Sequence, residues 1–279
     1  MTEPNHFRRV VVIWLVASVI ATPLMVLLVG PIVPPGNGTV QAAGQVTDNT
    51  VLLGISTPVA LAVIVYFAYA LIVFREREPA SVLDGPPLRG HAGIQLWWIV
   101  ITATIVLFLA GYGTVRLLSD GSGGGQGPNP IAKIDPRGDP PLQVQVIAQQ
   151  WRFTFRFPGY GGVETPQLEL PADRVIEFHV TSLDVIHSFW AYQLGVKADA
   201  NPGEDNVAYV QTKKPMSFDI HCAELCGVWH GYMFDTGHVV SASEFAAWIT
   251  QQRQQYGPAT KALSPYSKTY FPDPQRRGG

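Results

Sequence analysis

Three long apolar runs fill most of the first 118 residues, and beyond them the pattern changes to short alternating stretches. The first run, Val10 to Val29, is uncharged and holds Pro23, where a kink is expected; the second is Val51 to Phe74; the third, Ile94 to Leu118, is diluted by Gln95, Thr102 and Thr104. Each is near or above the ~20 residues that a helix needs to cross a bilayer core of about 30 Å. Three such runs so close together favour membrane helices over buried core helices. From Leu142 onward β-rich stretches take over: VQVIAQQWRFTFRF at 144–157, VIEFHVTS at 175–182, VAYVQT at 207–212, MSFDIHC at 216–222 and GHVVS at 237–241. The period-two alternation of FTFRF and IEFHV, with Gly, Pro and Asp between runs, predicts an antiparallel sandwich or barrel.

Punctuation divides the chain further. Residues 1–50 hold the first apolar segment, a transmembrane helix or a signal sequence, with an outer loop; residues 51–118 form a transmembrane hairpin. Ser119 to Pro130 reads SDGSGGGQGPNP, so 119–140 is a linker whose glycines and prolines hold no helix. Residues 141–254 suffice for one β domain. Ser243 to Gln254 predicts a short amphipathic helix capped by Ser241 or Ser243, and 255–279 is a polar, Pro-containing tail.

Basic residues set the orientation. Arg8 and Arg9 precede the first run, Arg75, Arg77 and Arg89 lie between the second and third, and Gly30 to Thr50 has no Lys or Arg. Since Lys and Arg near membrane ends are held on the cytoplasmic side, the carboxy-terminal half is expected outside the cytoplasm. A basic start and the small residues Val40, Ala42 and Ala43 also fit a cleaved signal sequence. The apolar core of such a signal is about 7–15 residues, shorter than this run, which favours a retained helix.

Composition agrees with a membrane protein: 14% of residues are charged and 47% hydrophobic, against about 25% charged in a typical soluble domain. The net charge of −2, from 19 Lys+Arg and 21 Asp+Glu, offers no clustered basic footprint for nucleic acid. Two cysteines are too few for a disulfide scaffold, so the role of Cys222 and Cys226 rests on their spacing.

That spacing is informative. In HCAELCGVWHGYM, residues 221–233, Cys222, Cys226, His230 and Met233 follow as C-x3-C-x3-H-x2-M. Thiolate and thioether select copper(I), zinc or iron–sulfur, and imidazole suits copper and zinc, so the mixture points to copper. His187 in DVIHSFW, 35 positions before Cys222 and expected on a loop, offers a second imidazole. Two thiolates exceed a blue-copper site, which uses one, and fit two coppers. A Cys222–Cys226 disulfide and a zinc Cys2His2 site remain the alternatives. His187 alone reads as a satisfied polar residue and Met233 alone as core filler; His179, His221 and His238 read as structural or surface residues.

At these residues the chain resembles subunit II of the heme-copper oxidases, the cytochrome c oxidase family. The likeness rests on DVIHSFW, on LGVKADANPG at 194–203 and on CAELCGVWHGYM at 222–233, in the family's order, and spans roughly residues 51–250. It implies a membrane-anchored architecture, amino-terminal transmembrane helices followed by an all-β cupredoxin-like Greek-key sandwich, carrying a binuclear CuA centre. Cys222 and Cys226 would bridge two coppers, His187 and His230 would each bind one, and Met233 and the backbone carbonyl of Glu224 would be weaker ligands. The Glu224 carboxylate would reach a magnesium ion at the boundary with subunit I. Trp151 falls where the family accepts electrons from cytochrome c, although Arg152, Phe153, Phe155 and Phe157 replace much of the usual Tyr and Trp.

The implied role is electron input to a cytochrome c oxidase in the cell (plasma) membrane, with electrons passing to heme in subunit I and oxygen reduced to water with proton translocation. The chain itself carries no heme or oxygen-reducing site on this reading. Expected partners are subunit I, subunit III, and cytochrome c or a fused or membrane-bound cytochrome c domain. Residues 141–254 carry 12 Asp+Glu and 7 Lys+Arg, a net of −5, which would speed encounter with a basic donor. Two positions depart from the family. Gln95 stands where many members have a glutamate at a proton-uptake entrance, and Glu204 where the family often has arginine. These keep open an electron-input subunit of a CuA-containing nitric oxide reductase; a membrane-anchored copper carrier is a third reading.

Overall fold

The computed structural model describes residues 5–34, 36–75, 90–120 and 139–260. Arg77, Arg89, most of the 119–140 linker and the tail beyond Thr260 lie outside them. The chain divides into two compact units, Met1–Pro31 with Thr47–Arg116, and Ile32–Val46 with Leu117–Gly279.

The first unit is helical. α1 (His6–Leu24) runs through Pro23 and is followed by a π-helical turn, Met25–Val29, and a 3-10 turn, Gly30–Ile32. Proline removes one donor from the ladder and crowds the preceding turn, and the helical hydrogen-bond register changes directly after it. α2 (Val40–Val73) begins well before the apolar run that predicts it, and α3 (Ala92–Asp120) matches the third run. All three helical stretches are long and apolar enough to cross a membrane. At 1.5 Å per residue α2 spans about 51 Å, well over the hydrocarbon thickness, so its polar first turns need not enter the bilayer. Within this unit Asp48 accepts from Arg116 Nε at 2.8 Å and from the Tyr112 hydroxyl at 2.9 Å, which pairs a charge inside the third run.

The second unit is a sandwich of two five-stranded sheets, ordered β3-β2-β1-β5-β8 and β4-β10-β9-β6-β7. The strands are β1 (Leu142–Gln149), β2 (Arg152–Phe157), β3 (Val163–Thr165), β4 (Glu169–Pro171), β5 (Val175–Ser182), β6 (His187–Ala191), β7 (Val196–Ala200), β8 (Asn206–Gln211), β9 (Met216–Cys222) and β10 (Phe234–Val240). The alternation of FTFRF does what its period requires: Phe153, Phe155 and Phe157 all point into the core. Phe189 completes the centre, with its ring 5.8 Å from Phe153 and 5.4 Å from Phe178.

Four expectations change. The 144–157 stretch is two strands, β1 and β2, paired antiparallel after a turn at Gln150 and Trp151. The sandwich is mixed, because β1 pairs parallel with β5 and β4 with β10; the intervening strands act as the crossovers that parallel pairs need. His187 opens strand β6, paired with Ala200 of β7, and does not lie on a loop. α4 (Ala242–Thr260) continues past Gln254 through Pro258, two residues from its end. Its start is a capping box: Ser241 Oγ accepts from Glu244 N–H, and the Glu244 carboxylate accepts from Ser241 N–H at 2.9 Å.

Candidate metal centre

β9 ends at Cys222, and the chain then turns through Ala223–Trp229 into a 3-10 turn, His230–Tyr232, before β10. This loop is tied down at both sides. Cys222 N–H donates to the Met233 carbonyl at 3.0 Å, and Ala223 N–H to the Ser188 carbonyl at 2.9 Å, which joins it to β6 and so to His187. Gly227 sits at φ +119°, a conformation that glycine tolerates, and a Cβ there would press on Gln150 and Trp151.

The result is a cluster of soft donors. The Cys222 and Cys226 sulfurs are 3.7 Å apart and both cysteines are free. His187 Nδ1 is 3.8 Å from Cys222 Sγ, His230 Nδ1 is 3.5 Å from Cys226 Sγ, and Met233 Sδ is 3.8 Å from Cys226 Sγ. The Glu224 carbonyl lies 3.2 Å from Cys222 Sγ, while the Glu224 side chain is exposed. His187, Cys222 and Cys226 form a group of the kind that holds a metal ion, and all three are buried.

The surroundings orient the donors. Asp184 Oδ1 receives His187 Nε2 at 3.0 Å, and its carboxylate also accepts the Gln150 and Val185 N–H groups, each at 2.7 Å. With Nε2 carrying the proton toward Asp184, the Nδ1 lone pair is left facing the sulfurs, the arrangement common to metal-ligating histidines. Burial opposes charge on this aspartate, but these three hydrogen bonds prevail and hold it below the usual carboxylate range. Burial likewise acts against charge on His187, and its contacts with Cys222 and Asp184 raise its pKa nonetheless.

The two thiols are pushed apart. Burial raises Cys222, but the contact with His187 and hydrogen bonds from the Glu224 and Ser188 backbone outweigh it and favour the thiolate. Cys226 is driven up by burial, then by its hydrogen bond with Cys222 and by the Cys222 charge. A second thiolate beside Cys222 in this buried pocket would call for positive charge between the two sulfurs. The donor set, two sulfurs, two imidazole nitrogens, a thioether and a carbonyl, fits soft metal ions and copper in particular.

Trp151 belongs to the same constellation. Its indole Nε1 donates to the Cys226 carbonyl at 3.2 Å, and Gln150 Nε2 donates to that carbonyl at 2.8 Å. Asp184 and Gln150 were not singled out from the sequence; the D-x-x-H spacing of Asp184 and His187 is the signal that marks the first. Glu204 is exposed in the turn between β7 and β8, and it is the next residue, Asp205, that bonds His179. Gln95 lies exposed near the start of α3, its N–H donating to the His91 carbonyl at 3.0 Å.

Comparison with known proteins agrees with this geometry. Residues 162–240 match the family model described as cytochrome c oxidase subunit II, periplasmic domain, a stretch that holds every sulfur and imidazole donor above. The periplasmic domain of subunit II from Bradyrhizobium japonicum is 30% identical over 41% of this chain and 95% of its own, with a TM-score of 0.40. Cytochrome c oxidase subunit 2 of Synechocystis is 28% identical over 71% of this chain and 69% of its own, and that of Bacillus subtilis 26% identical over 96% and 74%. The chain belongs to the cytochrome c oxidase subunit II family. For a subunit II, the apolar amino-terminal helices and the cupredoxin-like β-sandwich are the expected parts, and both are present.

Proposed function

We propose that this subunit II chain receives electrons from cytochrome c at a binuclear copper centre and passes them to heme in subunit I of a cytochrome c oxidase. The observation that carries the reading is the convergence of Cys222, Cys226, His187, His230, Met233 and the Glu224 carbonyl at contacts of 3.2–3.8 Å. Copper held by Cys222, Cys226, His187, His230 and Met233 would supply a one-electron carrier. The chain's own residues do the rest. Strands β6 and β9 and the tied loop between β9 and β10 hold the donors, so little rearrangement would accompany a change of charge. Asp184 holds the His187 tautomer, and Trp151 and Gln150 hold the loop through the Cys226 carbonyl.

The surface around the centre supports docking. Val185, Ile186, Trp190, Leu225, Val228, Trp229, Tyr232 and Phe234 are large apolar side chains left exposed, and each lies within a few residues of a donor. An apolar patch of this kind beside polar surroundings marks an interaction site, here for subunit I, with the Glu224 carboxylate free to reach magnesium at that boundary. The domain's net charge of −5 suits a basic cytochrome c, whether soluble, fused or membrane-bound. On this reading the apolar helices anchor the chain in the plasma membrane, the Lys and Arg around them support an extracytoplasmic domain, and subunit III is a further neighbour. A copper carrier needs exposed ligands, whereas His187, Met233, Cys226 and Cys222 are 0%, 2%, 3% and 8% exposed.

The test is metal analysis with electron paramagnetic resonance on the full chain, isolated from membranes without partner subunits and loaded with copper. Two coppers per chain and one unpaired electron shared equally by two copper nuclei are expected. One copper, or zinc alone, would sink the electron-input role.

A further inference from the structure

β8 has a partner on one side only, since it ends its sheet after β5. An open edge offers its N–H and C=O groups to any other chain. Here the carboxy-terminal end of that edge, Gln211 to Lys213, is met by a segment more than 160 positions upstream. Lys213 N–H donates to the Gly38 carbonyl at 3.0 Å, Gln211 N–H donates to Gln41 Oε1 at 2.8 Å, and Thr39 forms a β-bridge with Thr212.

The same segment also reaches the other sheet. Three consecutive carbonyls at the turn between β6 and β7 each receive one of its donors: Gln193 from Gly38 N–H at 2.9 Å, Leu194 from Thr39 Oγ1 at 2.6 Å, and Gly195 from Gln45 Nε2 at 2.8 Å. Thr39 Oγ1 in addition accepts from Ala42 N–H at 3.0 Å, which caps α2. Packing is as close as the bonding. A Cβ on Gly38 would collide with Met216 Sδ, and one on Gly195 would come 2.8 Å from Ala42 Cα. Thr39, Ala42 and Gln41 are buried although they belong to a connection that reads as an outer loop.

We propose that residues 36–45 are a permanent strap that staples the two sheets together and masks the carboxy-terminal end of the β8 edge, and that the chain is therefore not cut at the small-residue site Val40–Ala42–Ala43. A cut there would release Gly38, Thr39 and Gln41, which make four of the strap bonds described above, while the Gln45 bond to Gly195 would stay with the chain. The amides of Gln211 and Lys213 and the carbonyls of Gln193 and Leu194 would then face solvent or a foreign strand. Cleavage at that site removes part of the folded domain, where ordinary processing removes only a leader.

Two measurements on the full chain purified from membranes decide. Amino-terminal sequencing with intact mass should find a mature amino terminus before Gly38; a terminus at Gly38 or later overturns the proposal. Amide exchange should show Gln211 and Lys213 protected, and Gln41→Ala should raise exchange at Gln211 at least tenfold while leaving the β1 amides unchanged. Free exchange at both amides in the unaltered chain would equally overturn it.

Discussion

The indole of Trp151 and the backbone carbonyl of Cys226 are hydrogen-bonded at 3.2 Å, so a half-buried aromatic ring is joined directly to a residue of the candidate copper centre. On the proposed function, a ring in that position would shorten the path from a docked donor to the sulfurs. Trp151→Leu is expected to slow electron acceptance from cytochrome c by about tenfold, equivalent to about 1.4 kcal/mol in the barrier, with two coppers retained. Trp151→Phe, which keeps a ring and loses the donor, should fall between. Stopped-flow reduction with copper analysis checks both, and unchanged rates in Trp151→Leu would place electron acceptance elsewhere.

Asp184 predicts a different defect. Its carboxylate holds His187 at 3.0 Å and two backbone amides at 2.7 Å. Removing such an orienting partner lowers metal affinity by about 10–100-fold. Asp184→Ala should show that loss in competition with a copper(I) chelator, and Asp184→Asn, which retains an acceptor oxygen, a smaller one. Equal affinities for all three proteins would remove Asp184 from the centre.

Much of this was readable from the chain, and what escaped is physically intelligible. Cys222, Cys226, His230 and Met233 occupy 12 consecutive residues, so one local string fixes four donors. His187 gains meaning only from that string, and its strand was missed because HSFWA is short and every residue but Trp190 is buried, which erases the alternation. The turn at Gln150–Trp151 has no Gly, Pro, Asn or Asp to announce it, and AQQWRF reads as unbroken strand. The Asp184–Gln150 contact spans 34 positions and the strap bond from Thr39 to Leu194 spans 155, and no local pattern encodes either.

Met233 separates fold from metal chemistry. It is 2% exposed, with its sulfur 3.8 Å from Cys226 Sγ. Leucine has nearly the same volume, and such exchanges cost less than about 1.5 kcal/mol in a core. Met233→Leu is expected to melt close to the unaltered protein while its copper-loaded optical and paramagnetic spectra change. An identical spectrum would mean that Met233 serves only as packing.

The last prediction concerns pH. On the sheet that carries no sulfur donor, His179 Nδ1 bonds Asp205 at 2.8 Å, and its Nε2 lies 3.5 Å from Glu177, which also accepts from the Tyr209 hydroxyl at 2.7 Å. Burial acts against the charged imidazole, but the two carboxylates outweigh it and raise its pKa to about 9. The His179 contact, against the opposing effect of burial, lowers Glu177 to about 2, with help from Tyr209 and Gln143. For His179 the folded pKa exceeds the unfolded value of 6.5, so its stabilisation is complete below that pH and is lost as pH rises through about 9. For Glu177 the folded value is below 4.5, so its share is present above that pH and is lost as pH falls toward about 2. The unaltered protein should therefore lose thermal stability between pH 6.5 and 9, and His179→Gln should be flatter across that window. His179→Gln should also be less stable at pH 6 by about 1–3 kcal/mol, the cost of leaving a buried polar partner unmatched. Melting temperatures measured from pH 5 to pH 10 on both proteins, in the same detergent and at fixed copper content, make the comparison. Parallel curves would show that the His179 cluster carries no charge linkage.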